Sequence, residues 1–375
     1  MNTSIETFEY NSERGTWQDF HSSKDMKGSL KGYEARVATL NVLADCFPWF
    51  IELAIDSKMR FPAMIEELIK LDPTFCGLNE VTESCLGLLL AHPYIQENYY
   101  ISNVTRELKS ERKTDYMYNP HGCLLLSKVP FLSATAIGFV QSERDRPAII
   151  GLFRLSLEDA DYTALLAVCS IHTLAYQSPA NKRIREKQLL RAADQCRLLL
   201  DDNEIESDIR TGFIMMGDMN LHYISEDGVV GKCETVDAYA ETHFASDQDN
   251  NDGYTFDAKG NSMIKRYIPG EKRKMRLDRI LVSQGSPFYF VSPCEMWANE
   301  AVDVRREIYI SDHYGLFVDI QLDKDADLRE NSEVAAKLMK NSQMPLEIFE
   351  FSKLDFAVKL VPHSFWLLSR AFGLN

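Results

Sequence analysis

Several features that mark common protein classes are missing from this 375-residue chain. It has no CxxC pair and no metal-knuckle spacing, and its eight cysteines are scattered. That predicts reduced thiols and argues against a disulfide scaffold. No apolar run approaches the ~18 to 20 residues that a membrane-spanning helix needs. The opening MNTSIETFEYNSERG lacks the basic-then-apolar order of a secretory signal, so a cytoplasmic or nuclear protein, not a secreted one, is expected. No segment repeats at a fixed period, which excludes a solenoid or propeller. Positive charge is also short. A formal net charge of −15 excludes a protein that coats nucleic acid by bulk electrostatics, since such binding sums many Lys and Arg contacts to phosphate. A local basic patch remains compatible with it. What is present, 45% hydrophobic and 26% charged residues, is enough to bury a substantial core in one large domain or two small ones.

Residues 1–34 are polar and without sustained periodicity, and read as a mobile leader. From Arg36 short apolar runs alternate with helical patterns, as in a layered α/β domain. RVATLNVL is the first strand candidate. FPAMIEELIKL follows as an amphipathic helix with Pro62 early in its first turn. TFCGLNEV, GCLLLS, AIIGLFRL, ALLAVCSI, GFIMMGD, RLDRILVS and YGLFVDIQL complete the strand set. Most are too apolar to face water on either side, which suits a sheet buried between layers. Pro179 to Asp201 carries the longest helical pattern, with Ile184, Leu189, Ala192, Cys196 and Leu199 at three- and four-residue steps. The domain runs over 35–322. Residues 323–375 read as a linker, KDADLRENSE, and an apolar C-terminal extension. That extension either packs on the core or touches a membrane or partner; Asp355 and the Pro362 interruption favour packing.

Chemistry concentrates where strands end. GFIMMGDMNLH runs an apolar strand into Asp218 and Asn220; in extended backbone the two project to one side and can address one ligand. A carboxylate beside a carboxamide suits hydrolysis, the one orienting or deprotonating water and the other donating to a phosphoryl oxygen. The same residues also suit a strand-end turn. In ISDHYGLFVDI, Asp312 and His313 precede the last strand, where a neighbouring carboxylate favours a protonated imidazole. GLNEV places Glu80 where a carboxylate is ill suited to a core but well suited to a hard cation, or to the start of a helix. Asn41 sits inside an apolar strand, as a ligand or as a satisfied core amide.

Taken in order, Asn41, Glu80, His172, the GDMN pair, Asp278 of RLDRI and the SDH run resemble the endonuclease/exonuclease/phosphatase superfamily. The resemblance covers about Arg36 to Leu322. It implies a deoxyribonuclease I-like fold, a four-layered α/β/β/α sandwich, and a metal-dependent phosphodiesterase. Residue by residue it implies that Glu80 holds Mg²⁺ or Mn²⁺, with Asn41 and Asp312 as ligands or supports. Asp218 would orient or deprotonate the attacking water. Asn220 and His172 would stabilise phosphoryl charge, and His313, oriented by Asp278, would face the phosphate. Within the superfamily, GDMNL, VDAYAE, GYTFDAKGNSMI, RLDRILV and SDHYGL are similar to the tyrosyl-DNA phosphodiesterase branch, which implies a nucleic-acid 5′ end as substrate. TLNVLAD and HGCLLLSK are similar to the deadenylase and 2′-phosphodiesterase branch. An RNA deadenylase or 3′ exonuclease, and a sphingomyelinase or inositol-phosphate phosphatase, are the alternatives. Two positions depart from the tyrosyl-DNA pattern: Leu40 stands in place of Trp, and His222 in place of an Arg that meets substrate phosphate.

KRYIPGEKRKMR sets six Lys or Arg against one Glu just before RLDRI. Arg266, Lys272, Arg273, Lys274 and Arg276 are expected to track a phosphate backbone, or to be a solvated loop. Tyr254, in the preceding turn, is a candidate to stack on a base or a tyrosyl ring. A monomer is expected.

Overall fold

The computed structural model describes residues 2–21, 28–30, 34–103, 120–139, 146–157, 163–203, 209–243 and 253–322. The expected linker and C-terminal extension, 323–375, with its membrane or partner contact, lies outside the described residues.

Two sheets form the centre. One orders Asn2–Ile5, Ser133–Ile137, Ala148–Leu157, Thr163–Ser170, Arg210–Asp218, Asp278–Ser283 and Thr235–Asp237 side by side, with Gly28–Leu30 along the third. The other orders Phe288–Phe290, Gly315–Leu322, Glu34–Asn41, Phe75–Val81, Gly122–Ser127, Tyr100–Ile101, Thr7–Asn11 and Thr16–Phe20, with Glu295–Trp297 also on the second. Each sheet holds a parallel pair near its middle, 34–41 with 75–81 and 163–170 with 210–218, and Gly28–Leu30 also runs parallel to its partner in the first.

Side-chain alternation decides the layering. Along 163–170, Ala164, Leu166 and Val168 join the core shared with the other sheet, whereas Leu165, Ala167 and Cys169 join a second core beneath the helix Pro179–Asp201. Ile214 and Met216 against Phe213 and Met215 repeat the pattern one strand on. Phe61, Met64 and Leu68 of the helix Ser57–Leu71, with Leu86 and Leu89 of Glu83–Ala91, cover the outer face of the second sheet. The four-layered α/β/β/α sandwich follows, and strands buried on both faces explain the unbroken apolar runs.

The structure corrects the reading at three places. Residues 2–20 are not a mobile leader. Asn2–Ile5 pairs with Ser133–Ile137 at the edge of the first sheet, and the hairpin Thr7–Asn11/Thr16–Phe20 extends the second through Phe8 opposite Ile101. Trp17 donates its indole N–H to the Leu90 carbonyl at 2.9 Å. Strands this short and polar at an edge carry little hydrophobic periodicity, so their partners only appear in three dimensions. Second, Pro62 lies in the second turn of its helix, not the first. The helix begins at Ser57, separated from Trp49–Ile55 only by Asp56 in left-handed backbone with φ 50°. Third, the strand 210–218 ends at Asp218, and Asn220 has φ 49°. The period-two argument for that pair therefore fails, and a tight turn brings the two together instead.

Candidate active site

The ends of the two parallel pairs meet at one edge of the sandwich, Asn41 level with Asn79 in one sheet and Asp218 level with Asp278 in the other. Gly217 allows the sheets to close there. Its φ is 140°, and a Cβ would stand 2.0 Å from the Ile171 carbonyl oxygen and 2.7 Å from Asn79 Oδ1, so no other residue fits without strain.

Asp218 is the hub. Its backbone N–H donates to Asn79 Oδ1 at 2.8 Å. Asn41 Nδ2 donates to its Oδ2 at 3.1 Å, and the Asn220 N–H donates to its Oδ1 at 3.0 Å. His172 Nε2 and His313 Nε2 stand 3.4 and 3.9 Å from Oδ2. Burial pushes the Asp218 carboxyl up to about 7, with Asp278 adding to the rise and His313 and Asn41 opposing it. A base so poised sits near the pH at which it would take a proton from water.

His313 Nδ1 is 2.7 Å from Asp278 Oδ2, and Phe256 packs edge-on against the ring at 5.5 Å. Burial opposes the ring's charge, but Asp278, Asp312 and Asp218 outweigh it and hold the imidazole pKa well above its usual value. His172 is the opposite case. Burial and the Arg146 guanidinium keep its pKa well below the ordinary range, so it is neutral near pH 7. Two buried imidazoles flanking one carboxylate are thus set to different protonation states, the pattern of an acid/base site.

Glu80 occupies a break in the pairing of its strand with 122–127, between Leu78 and Val81, and has φ 61°. Such backbone costs a non-glycine residue about 1–3 kcal/mol and is typical of functional positions. Its Oε2 accepts the Ala44 N–H at 3.1 Å. Burial resists its ionisation, yet His121, His172, Arg146 and that N–H keep its pKa well below the usual range.

The residues present fit a divalent cation. A Glu80 oxygen and one ring nitrogen each of His121 and His172 lie within 4.8 Å of one another. The expected trio of Glu80, Asn41 and Asp312 is arranged differently. Asn41 Oδ1 accepts the Leu43 N–H at 3.1 Å while its Nδ2 orients Asp218. Asp312 receives the Ser311 hydroxyl at 3.2 Å on Oδ1 and the Tyr267 hydroxyl on Oδ2. Both are tied to neighbours by these bonds. One Asn220 amide hydrogen goes to the Thr173 carbonyl at 3.2 Å.

The basic segment meets the site in an unexpected way. Arg276 turns inward to Asp237 at 3.0 Å and over the Tyr239 ring. Arg273 pairs with Glu271, and Lys274 with Asp257 at 2.8 Å. Arg266 donates to the backbone carbonyls of Ala54, Arg306 and Glu307. These cations mostly brace the loop, Arg273 within it and Arg266, Lys274 and Arg276 against acids and carbonyls of neighbouring segments. Of the five, Lys272 and Lys274 are exposed, Lys274 while paired with Asp257. Tyr267, from the same segment, reaches the site and holds Asp312. Tyr254 carries Lys274 Nζ 5.7 Å above its ring, and His222 stands half-buried with Nδ1 3.5 Å from Met275 Sδ.

Sequence reasoning missed Asn79, His121, Arg146 and Tyr267. Asn79 adjoins Glu80 in GLNEV, and His121 opens the strand HGCLLLS as His313 opens its own; these strand-end positions were the available signals. Arg146 Nη1 lies 2.8 and 2.7 Å from the two His172 ring nitrogens. It lines a pocket together with His172, Thr173 and Gln188.

The Endonuclease/Exonuclease/phosphatase family profile matches residues 38–313. No curated protein sequence matches significantly. Among solved structures, truncated Caenorhabditis elegans TDP2 is 17% identical, with 78% of this chain and 99% of that one covered at a TM-score of 0.53. D. rerio TDP2 complexed with a single-strand DNA product is likewise 17% identical, covering 77% and 99% at 0.52. An endonuclease/exonuclease/phosphatase from Bacteroides vulgatus is 16% identical, covering 77% and 99% at 0.54. At such identity the likeness speaks for the fold.

Proposed function

The chain belongs to the endonuclease/exonuclease/phosphatase family, and from that premise we propose that it is a metal-dependent phosphodiesterase acting on a nucleic-acid 5′ end, such as a 5′-phosphotyrosyl bond. The observation that carries the reaction class is the Asp218 carboxylate held between Asn41, neutral His172 and the charged His313–Asp278 pair. In-line attack by water needs a base on one side and positive charge around the phosphoryl oxygens. Asp218 takes the proton from the water, His313 donates to a phosphoryl oxygen, and Asp278 fixes the imidazole ring. Asn220 and Arg146 supply further donors. A bound divalent ion, carried by Glu80, would neutralise phosphoryl charge and orient the leaving oxygen.

The substrate is supported by the sequence segments GDMNL, VDAYAE, GYTFDAKGNSMI and SDHYGL, similar to those of the tyrosyl-DNA branch. The D. rerio relative was solved with a single-strand DNA product. Arg146, fixed in charge and fork-shaped, can take the phosphate-clamping part that His222 fills poorly. A lipid phosphodiester is the second reading, favoured by Trp49 and Leu53, 74% and 72% exposed on a helix whose Ala54 carbonyl is tied to Arg266.

The test is a substrate panel of 5′-tyrosyl single-strand DNA, poly(A), unmodified single- and double-strand DNA, sphingomyelin and an inositol phosphate, each with Mg²⁺ or Mn²⁺. EDTA-sensitive release of tyrosine is expected. The proposal fails if no substrate is hydrolysed, and preferential cleavage of sphingomyelin would move it to the lipid reading.

A further inference from the structure

We propose that this protein docks on an anionic lipid bilayer through an apolar patch beside the catalytic edge, formed by Trp49, Phe50 and Leu53 of the helix 49–55 and by Val302 and Val304 of the hairpin 301–309. The inference concerns where the chain attaches and stands whichever phosphodiester it cuts.

Nine large hydrophobic side chains are exposed among the described residues, and five of them lie on these two segments, with Val304 79%, Trp49 74% and Leu53 72% exposed. The segments are neighbours. Arg266 donates to the carbonyls of Ala54 at 2.8 Å and of Arg306 and Glu307, and Arg306 reaches Asp56 at 2.7 Å. Their inner faces share one small core, in which Ile55 and Ile308 pack with Leu43 and Met263, and Ile51 lies against them. Six of the seven residues in WFIELAI are apolar. A helix apolar on all sides is ordinarily buried on all sides. Among the described residues this one is covered only on the side of Ile51 and Ile55. Trp49 and Leu53, one turn apart, project from the other side together with Phe50.

Charge decides the occupant. Over residues 49–58, 263–267 and 301–309 the exposed cations are Lys58, Lys265, Arg305 and Arg306, and the one exposed acid is Glu307. Arg306 is paired with Asp56 and Asp303, each at 2.7 Å; Lys58, Lys265 and Arg305 join no ion pair among the described residues. On a chain of net charge −15 this positive rim is local, and it borders aromatic and aliphatic side chains. Such a composition suits the interface of an anionic membrane, where Trp and Leu enter at the level of the headgroups and Lys and Arg meet lipid phosphates. A nucleic-acid strand could stack on Trp49 and Phe50, but it gains little from Leu53, Val302 and Val304, which offer no ring.

The patch adjoins the site. Trp49 comes five residues after Ala44, whose N–H holds Glu80, so their Cα atoms are at most about 18 Å apart. Phe47 packs on Tyr267 with ring centroids 5.2 Å apart, and the Tyr267 hydroxyl donates to Asp312. Docking through the patch therefore holds the catalytic edge close to the lipid headgroups.

The experiment is co-sedimentation of the full chain with vesicles of phosphatidylcholine, alone or mixed with phosphatidylserine, at low and high salt. Binding to the mixed vesicles is expected, at least an order of magnitude tighter than to the neutral ones and weakened by salt. Trp49→Ser with Leu53→Glu should lower the affinity for mixed vesicles by about 10- to 100-fold. Lys265→Ala with Arg305→Ala should lower it by about 10-fold or more. All four positions are exposed, so both double variants are expected to keep the parent's Tm. Absence of binding, binding that either double variant leaves unchanged, or equal affinity for neutral vesicles overturns the inference. So does a loss in Trp49→Ser with Leu53→Glu that is confined to binding of a single-strand oligonucleotide. Co-sedimentation requires no turnover. Hydrolysis of a phosphodiester without vesicle binding leaves the phosphodiesterase reading standing and removes this one, and vesicle binding without hydrolysis does the reverse.

Discussion

Asp218 is a residue whose surroundings oppose its own charge. Full burial and the Asp278 carboxylate raise its pKa to about 7, while His313 and the Asn41 amide pull it back. Exchanging it for an isosteric amide separates function from stability. Asp218→Asn should lower kcat by about 10²- to 10⁴-fold, the usual worth of a general base. Thermal stability should hold or rise, because a buried ionisable group is removed. The pH dependence of stability should change with it. A carboxyl whose folded pKa is raised contributes stability that is complete below its unfolded pKa and is lost as pH rises through about 7. In EDTA, urea denaturation of the native chain should therefore show stability declining between about pH 4 and 7, and the decline should be smaller in Asp218→Asn. Equal slopes would mean that Asp218 is not the group titrating.

At the scale of elements, the site is assembled by joints between strand ends, and one joint depends on a buried arginine. Arg60, in the helix 57–71, is fully buried and has no carboxylate among its hydrogen-bond partners. It donates to the carbonyls of Val42 at 2.9 Å, Leu43 at 3.0 Å, Ile310 at 2.7 Å and Ile55 at 2.8 Å, and to the Ser57 hydroxyl at 2.7 Å. Val42 follows Asn41 and Ile310 precedes Ser311, so one side chain ties the segment that leaves the strand at Asn41 to the one that leads to Asp312. Arg60→Met keeps the helix and much of the volume but strands several buried carbonyls. The expected loss is about 3 kcal/mol or more in urea denaturation, since each unsatisfied buried acceptor costs about 1–3 kcal/mol. Unchanged stability would show that water or backbone donors replace the guanidinium. In sequence, Arg60 is one polar residue on a helix, where an arginine ordinarily faces solvent.

For the whole molecule, residues 2–20 close an edge of both sheets, the first strand against Ser133–Ile137 and the hairpin against Tyr100–Ile101. Removing residues 1–21 should lower Tm and leave two strand edges open to pairing. Concentration-normalised light scattering of the truncated chain should then rise with concentration more steeply than that of the full chain. A truncated protein that is as stable and as dispersed as the parent would show the strands to be ornamental. Across the described residues no helix is long and apolar enough to cross a membrane.

Much of the architecture was legible because burial on both faces writes itself into composition: ALLAVCSI and GFIMMGD could only lie between two apolar layers, and Pro179 to Asp201 matched its helix end to end. That Asp218, Asp278, His172 and His313 stand at strand ends was legible too, because a titratable group breaks the apolar run it ends, and the structure brings the four together. What those residues do to one another was decided in three dimensions. The opposite protonation of His172 and His313, the inward turn of Arg276, and the approach of His121 to Glu80 depend on which strand ends meet across the sandwich. Tyr267 reaches Asp312 by the same route. Period-two and helical patterns report which face of an element is buried, and carry no information on which distant element lies opposite. The sequence thus determined the layers and most of the site's membership; tertiary packing set the charges, the supports and the donors facing the cation.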